Sequence, residues 1–128
     1  MIIFQESPKP LSTWVGIMIN LDIKPLSAND MYLGRKVKSH KYKTFERKIL
    51  ALLPDQEVPE GELTLTMKVG LSSKLADVDN ILKPFIDCLQ LKYGFNDKWI
   101  YHLEVTKEIV SKGEEFINFK IEELESGE

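Results

Sequence analysis

The sequence is poor in the residues that most often announce a function. It has one cysteine, Cys88, and two histidines, His40 and His102, in unrelated segments. An internal disulfide is excluded, and with no CxxC and no histidine pair at ligand spacing a structural zinc site is not expected. Apolar stretches are short: the run over residues 14–19 is far below the ~20 residues that a bilayer span needs. Residues 1–6 lack a basic region followed by a long apolar run, so no secretory signal is expected and the chain reads as cytoplasmic, without a membrane span.

What is present describes an ordinary globular chain. Its 128 residues suit one domain over 1–128, and with 43% hydrophobic and 29% charged residues neither a disordered nor a fibrous chain is indicated. The net charge of -3 disfavours nucleic acid only if it is averaged over the molecule, and it is not evenly spread. Residues 35–48 hold seven of the 17 basic residues, Arg35, Lys36, Lys38, Lys41, Lys43, Arg47 and Lys48, against the single acid Glu46. The end is the reverse, with Glu114, Glu115, Glu122, Glu123, Glu125 and Glu128 opposed by Lys120 and an acidic tail over 122–128. One region can attract phosphate while the other repels it.

Residues 13–23 are rich in β-branched and aromatic types and stop at Lys24-Pro25, which predicts a strand, followed by a surface loop over 25–35. Tyr42, Phe45, Ile49, Leu52 and Leu53 recur at helical spacing from about Ser39 or His40, and Pro54 supplies the stop. Leu63, Leu65, Met67, Val69 and Leu71 alternate with polar residues or glycine, the mark of a half-buried strand. An amphipathic helix is expected from near Asn80 or Ile81, which keeps Pro84 in the first turn, to Tyr93-Gly94. Cys88 lies within it and reads as a packing residue. Two strands over 99–110 and 115–124 are separated by Ser111-Lys112-Gly113, a connection of hairpin length. The order β-α-β-α-β-β predicts an α+β domain with a mixed sheet covered by two main helices.

Asp77 and Asp79 stand two apart between a strand and a helix, so on extended backbone both carboxylates point the same way and form a clamp for a hard cation. An EF-hand is excluded, because Ile81 and Leu82 occupy positions where that loop needs a polar ligand and a glycine. Asp79, Lys83 and Asp87 then form a ridge at four-residue spacing, away from the apolar stripe. A helix cap at Asp79 followed by exposed ion pairs has the same spacing. Asp97, in Gly94-Phe95-Asn96-Asp97-Lys98, equally suits a turn. Spacing leaves these readings open.

The order Asp77-Val78-Asp79-Asn80, then Lys83, Asp87 and Leu89, then Gly94-Phe95-Asn96-Asp97, resembles the RusA family of Holliday junction resolvases. Pro25-Leu26-Ser27-Ala28-Asn29 followed by Tyr32 is similar to that family's Pro-x-Ser-x-Asn and Tyr signature, so the resemblance covers about residues 20 to 124. It implies a RusA-like fold and a homodimeric, Mg2+-dependent endodeoxyribonuclease, with Mn2+ as a substitute ion, that cuts four-way DNA junctions in recombination, repair or phage DNA processing. By position, Asp77, Asp79 and Asp97 match the family's metal-binding aspartates and Lys83 its essential lysine; Asn80 and Asp87 match recurrent motif positions. Ala76 and Asn96 depart from the pattern, standing where a well-known member has an arginine and a second acid. Lys74 is the candidate to replace the missing charge.

On this reading the aspartates hold the metal, Lys83 places positive charge where charge develops on the phosphate, and Asp87 orients Lys83. A helix over residues 80–93 is about 21 Å long, whereas the four steps from Tyr93 to Asp97 reach back at most about 14 Å. Asp97 is therefore expected to complete the site of a two-fold partner. Arg35, Lys36, Lys38, Lys41, Lys43 and Lys74 are the expected contacts to the DNA backbone, and a solvated helix face is the other reading of the basic stretch. The alternatives for the whole chain are a non-catalytic nucleic-acid-binding protein and a nuclease for flaps or other branched DNA.

Overall fold

A computed structural model of the chain describes residues 16–124. Residues 13–15 of the expected first strand and 125–128 of the acidic tail lie outside the described residues. The elements are β1 (Ile19–Leu21), β2 (Tyr32–Leu33), β3 (Val37–Lys38), α1 (His40–Leu52), β4 (Leu63–Leu71), α2 (Val78–Tyr93), β5 (Ile100–Ile109) and β6 (Phe116–Glu123). Short 3-10 turns occupy Ala28–Asp30 and Asp97–Trp99. The α+β class and the mixed sheet agree with the sequence pattern.

Local chemistry explains the helix boundaries. The Ser39 hydroxyl accepts the Tyr42 N–H at 3.0 Å and caps α1, which buries Tyr42, Phe45 and Ile49 and ends before Pro54. Gly94 ends α2 in the left-handed conformation at φ 74°, and its N–H reaches the Gln90 carbonyl at 2.8 Å. The start of α2 differs from expectation. The helix begins at Val78 rather than Asn80 or Ile81, so Pro84 lies in its second turn and offers no N–H to the Asn80 carbonyl. Pro84 is almost fully buried, and placing its ring in the core offsets the lost hydrogen bond.

The main sheet runs β1-β6-β4-β5. β4 pairs antiparallel with β6 and parallel with β5, so β4, α2 and β5 form a parallel crossover unit. The expected β5–β6 hairpin is not formed, because β4 lies between the two strands. Residues 110–115 connect them, and six residues are ample to cross the roughly 10 Å separating strands that flank a third. The expected loop over 25–35 also holds more structure than its composition suggested: β2 pairs with β3 as a small hairpin, and Met31 is buried.

All core side chains of the sheet lie on one face. Leu65, Met67 and Val69 of β4, with Ile117, Phe119 and Ile121 of β6, meet Phe45 and Ile49 of α1 and Phe85, Cys88 and Leu89 of α2. Phe85 and Phe119 pack edge to face with centroids 5.3 Å apart. The helices cover only this face. On the other, Gly70 is required, because a Cβ there would lie 2.3 Å from the Phe116 ring. The result for function is that Asp77 leaves the Leu71 end of the sheet, and Asp97 enters β5 at the Leu63 end.

Candidate active site

The acidic segment begins where β4 stops. Residues 72–77 carry the chain from the sheet to α2, and Asp77 takes the N-cap position in extended backbone at φ -86°, ψ 132°. Its carboxylate makes no capping hydrogen bond. Val78 is already helical, so Asp77 and Asp79 do not share the extended backbone that the sequence suggested; they stand at the cap and in the first turn of one helix. Both are exposed. The cap reading of Asp79 is likewise displaced, since Asp77 holds that position. The positive end of the helix dipole stabilises negative charge here by roughly 0.3–1 kcal/mol per group.

The ridge along α2 forms as expected in its second half. Lys83 Nζ donates to Asp87 Oδ1 at 3.1 Å, an exposed pair worth about 0.3–0.5 kcal/mol to the helix, so its effect is to orient more than to stabilise. The Asp87 carboxylate also accepts the Gln90 amide at 3.4 Å. Gln90 Oε1 in turn accepts the backbone N–H of Asp97 at 2.8 Å. Asp97 starts the second 3-10 turn, and the Asn96 side chain caps that turn by accepting the Lys98 N–H at 2.9 Å. A chain of hydrogen bonds thus connects Lys83 to Asp97 along the helix, yet the two ends stay apart. Asp79 and Gln90 are separated by about 16 Å of helix. Among the described residues no group of three or more His, Cys, Asp and Glu side chains comes together to hold a metal. One chain therefore brings Asp77 and Asp79 to one end and leaves Asp97 at the other.

Sequence reasoning missed two residues of this arrangement. Lys107 Nζ donates to the Lys74 carbonyl at 3.0 Å and to the Ala76 carbonyl at 2.8 Å, which fixes the loop immediately before Asp77. Only the parallel register, which sets Lys107 beside Val69, reveals this role; no spacing along the chain signals it. Gln90 was missed because it lies one turn past the ridge. Lys74 itself is exposed in the same loop, and the Asn80 N–H reaches the Asp77 carbonyl at 3.3 Å.

The basic segment divides into three. Arg35 and Lys36 are exposed at the tip of the β2–β3 hairpin. Lys38 is paired with both Glu46 carboxylate oxygens at 3.1 Å and lies 5.2 Å from the Tyr42 ring centroid, so its charge is largely balanced within the fold. Lys41 and Lys48 of α1 line a groove of about 540 Å³ with Lys24, Ser27, His40 and Thr44, and Lys43 is exposed outside it. The motif at Pro25 serves this part of the fold: Pro25 is buried, Ser27 caps the Ala28–Asp30 turn by accepting the Asn29 N–H, and that turn packs against α2. Burial, aided by the nearby Asp87 carboxylate, pushes the Tyr42 phenol above its usual range. Burial also pushes the Cys88 thiol up to about 12, as befits a packing residue.

No protein-family model matches this sequence, and no curated protein matches it. The family likeness rests on its motifs alone.

No helix among the described residues is long and apolar enough to cross a membrane.

Proposed function

We propose that this chain is a homodimeric, Mg2+-dependent endodeoxyribonuclease that cuts four-way DNA junctions, as the RusA-like motifs imply. The observation that supports this most is the start of α2, where Asp77 uses none of its oxygens for capping and Asp79 follows in the first turn, both exposed. Two free carboxylates at one point suit a hard cation that keeps water and takes further ligands from a substrate phosphate. A Mg2+ or Mn2+ ion bound there supplies Lewis-acid charge to phosphodiester hydrolysis.

The chain's own residues do the rest. Lys83, oriented by Asp87, holds a positive charge one helical turn from Asp79 for the phosphoryl oxygens. Lys107 holds the Asp77 loop in place. Arg35, Lys36, Lys41, Lys43 and Lys74 present exposed charge to the DNA backbone, which gives affinity and salt dependence rather than sequence preference. Asp97 acts on the partner's site, because its own Asp79 lies at the far end of α2. A cleavage assay on four-way junction, flap and linear duplex with Mg2+ or Mn2+ tests the reading. Junction nicking that Asp77→Asn and Asp79→Asn abolish while junction binding persists is the expected result. Cleavage retained in both variants refutes the assignment, metal-independent binding alone identifies a non-catalytic DNA-binding protein, and preference for the flap identifies a different branched substrate.

A further inference from the structure

Two aromatic side chains stand in the open where the 3-10 turn Asp97–Trp99 passes into β5. Trp99 is 38% exposed and Tyr101 60%. Single exposed apolar residues are ordinary on a protein surface, but these two are arranged. Their rings lie near-parallel, with 13° between the planes and 6.4 Å between centroids, and the exposed Lys98 holds its ammonium 5.5 Å from the Trp99 centroid. The sheet register contributes to this. Leu63 of β4 faces Ile100 and Thr64 faces His102, so Tyr101 is an inserted residue without a partner on β4, and an insertion of this kind re-aims its side chain. Lys98 and Trp99 also border an open groove of about 640 Å³ toward residues 58–61, so the described residues leave them uncovered on that side.

We infer that Tyr101, backed by Trp99 and flanked by Lys98, is a stacking platform for an unpaired base of the DNA substrate, and that it reads the branch point rather than the sequence. An aromatic ring with a free face accepts any base, since every base has a π-face, and a neighbouring cation meets the phosphate that comes with it. A peptide could cover the same rings. Two features favour DNA instead: the Lys98 charge, and the place of Asp97, two residues before Trp99, which the nuclease reading sets beside the scissile phosphate.

The consequence is a preference for branched over linear DNA. Along a linear duplex each base pair is already stacked on both sides and offers the platform nothing. At a four-way branch point the helices part, and a base that opens there loses a stacking neighbour, which the Tyr101 ring replaces. Stacking neutralises no phosphate, so this contribution does not depend on salt, unlike that of Arg35, Lys36 or Lys41. Its size is that of base–aromatic stacking in general, roughly five- to a hundredfold in affinity for one base. The branch-point role rests on the junction-nuclease reading, whereas the base contact rests on the rings alone.

The test uses the full-length protein in EDTA, so that no DNA is cut. Fluorescence anisotropy compares an oligothymidylate of about ten nucleotides with an abasic strand of the same length and charge. The wild type should bind the base-bearing strand roughly five- to a hundredfold more tightly. Tyr101→Phe should keep most of this preference, whereas Tyr101→Leu, apolar but not flat, and Trp99→Ala should abolish it. Affinity for the abasic strand should stay within about twofold in every variant, because its phosphate contacts are untouched. That affinity and circular dichroism establish that the variants are folded. On a four-way junction, Tyr101→Leu should weaken binding without changing the salt slope, and on linear duplex it should change nothing. Equal binding of the two strands by the wild type, equal behaviour of Tyr101→Phe and Tyr101→Leu, or an equal loss on linear duplex overturns the platform. So does a base preference that survives Tyr101→Leu while that substitution alters the sedimentation coefficient, which assigns the rings to a protein contact. A protein that shows the preference but cuts no junction with Mg2+ refutes the nuclease reading and leaves the platform standing; one that cuts junctions without the preference refutes the platform alone.

Discussion

Replacing Lys107 by methionine keeps the length of the side chain and removes its charge together with two hydrogen bonds, to the Lys74 carbonyl at 3.0 Å and the Ala76 carbonyl at 2.8 Å. Hydrogen bonds to a charged donor contribute roughly 1.5–3 kcal/mol each where they are buried. This pair is partly solvated, so about 1–2 kcal/mol of loop order is lost, a five- to thirtyfold shift in the fraction of molecules with the loop set. The loop bears on Asp77 and not on the core, so the expected effect is on metal affinity rather than folding. In a Mg2+ titration of junction cleavage, the half-saturating concentration should rise by about that factor, with a much smaller change at saturating Mg2+. Lys107→Arg should recover part of the loss. An unchanged Mg2+ dependence in Lys107→Met would refute the positioning role, and a collapse of thermal stability would show that the residue belongs to the fold instead.

Two further outcomes follow from the charges. Neutralising Lys36 or Lys41 should lower the slope of log affinity against log salt by about 0.9 for each DNA phosphate that is no longer neutralised, as read by junction binding across a salt series. Neutralising Lys38 should lower it less, because that ammonium is already paired with Glu46; equal effects at all three positions contradict the partition of the basic segment. Glu115 is buried, and its carboxyl is held below the usual range by the Ser72 hydroxyl first and by the backbone N–H groups of Glu115 and Gly113. A pKa lowered by folding stabilises the protein above the unfolded value, and the stabilisation is lost as pH falls through the folded one. Denaturation midpoints followed from neutral to acid pH should therefore fall more steeply in the wild type than in Glu115→Gln, and parallel curves contradict the argument.

The parts of the fold that follow from local periodicity were legible in the sequence. Strict alternation in β4 and the stripes of α1 and α2 required only the geometry of strand and helix. The rest depends on pairing between distant segments. Ser111-Lys112-Gly113 has the length of a hairpin, but β4 is buried along one entire face and takes the central place, so β5 and β6 settle on either side of it. Pro84 shifted the expected start of α2 because propensity counts the missing hydrogen bond and not the burial of the ring. At the site, the ridge of Lys83 and Asp87 could be read from four-residue spacing. Lys107 could not, since it reaches the loop from a strand whose place beside β4 is set by the whole sheet.

In the proposed nuclease, Asp79 and Asp97 of different chains serve one site. The direct measurement mixes Asp79→Asn and Asp97→Asn protomers, each inactive alone, and follows Mg2+-dependent nicking of a four-way junction. In a heterodimer with shared sites, one of the two sites has both aspartates, so random mixing should restore about a quarter of the wild-type sites. If the mixture stays as inactive as its parents while exchange of subunits is demonstrated, the shared site is contradicted.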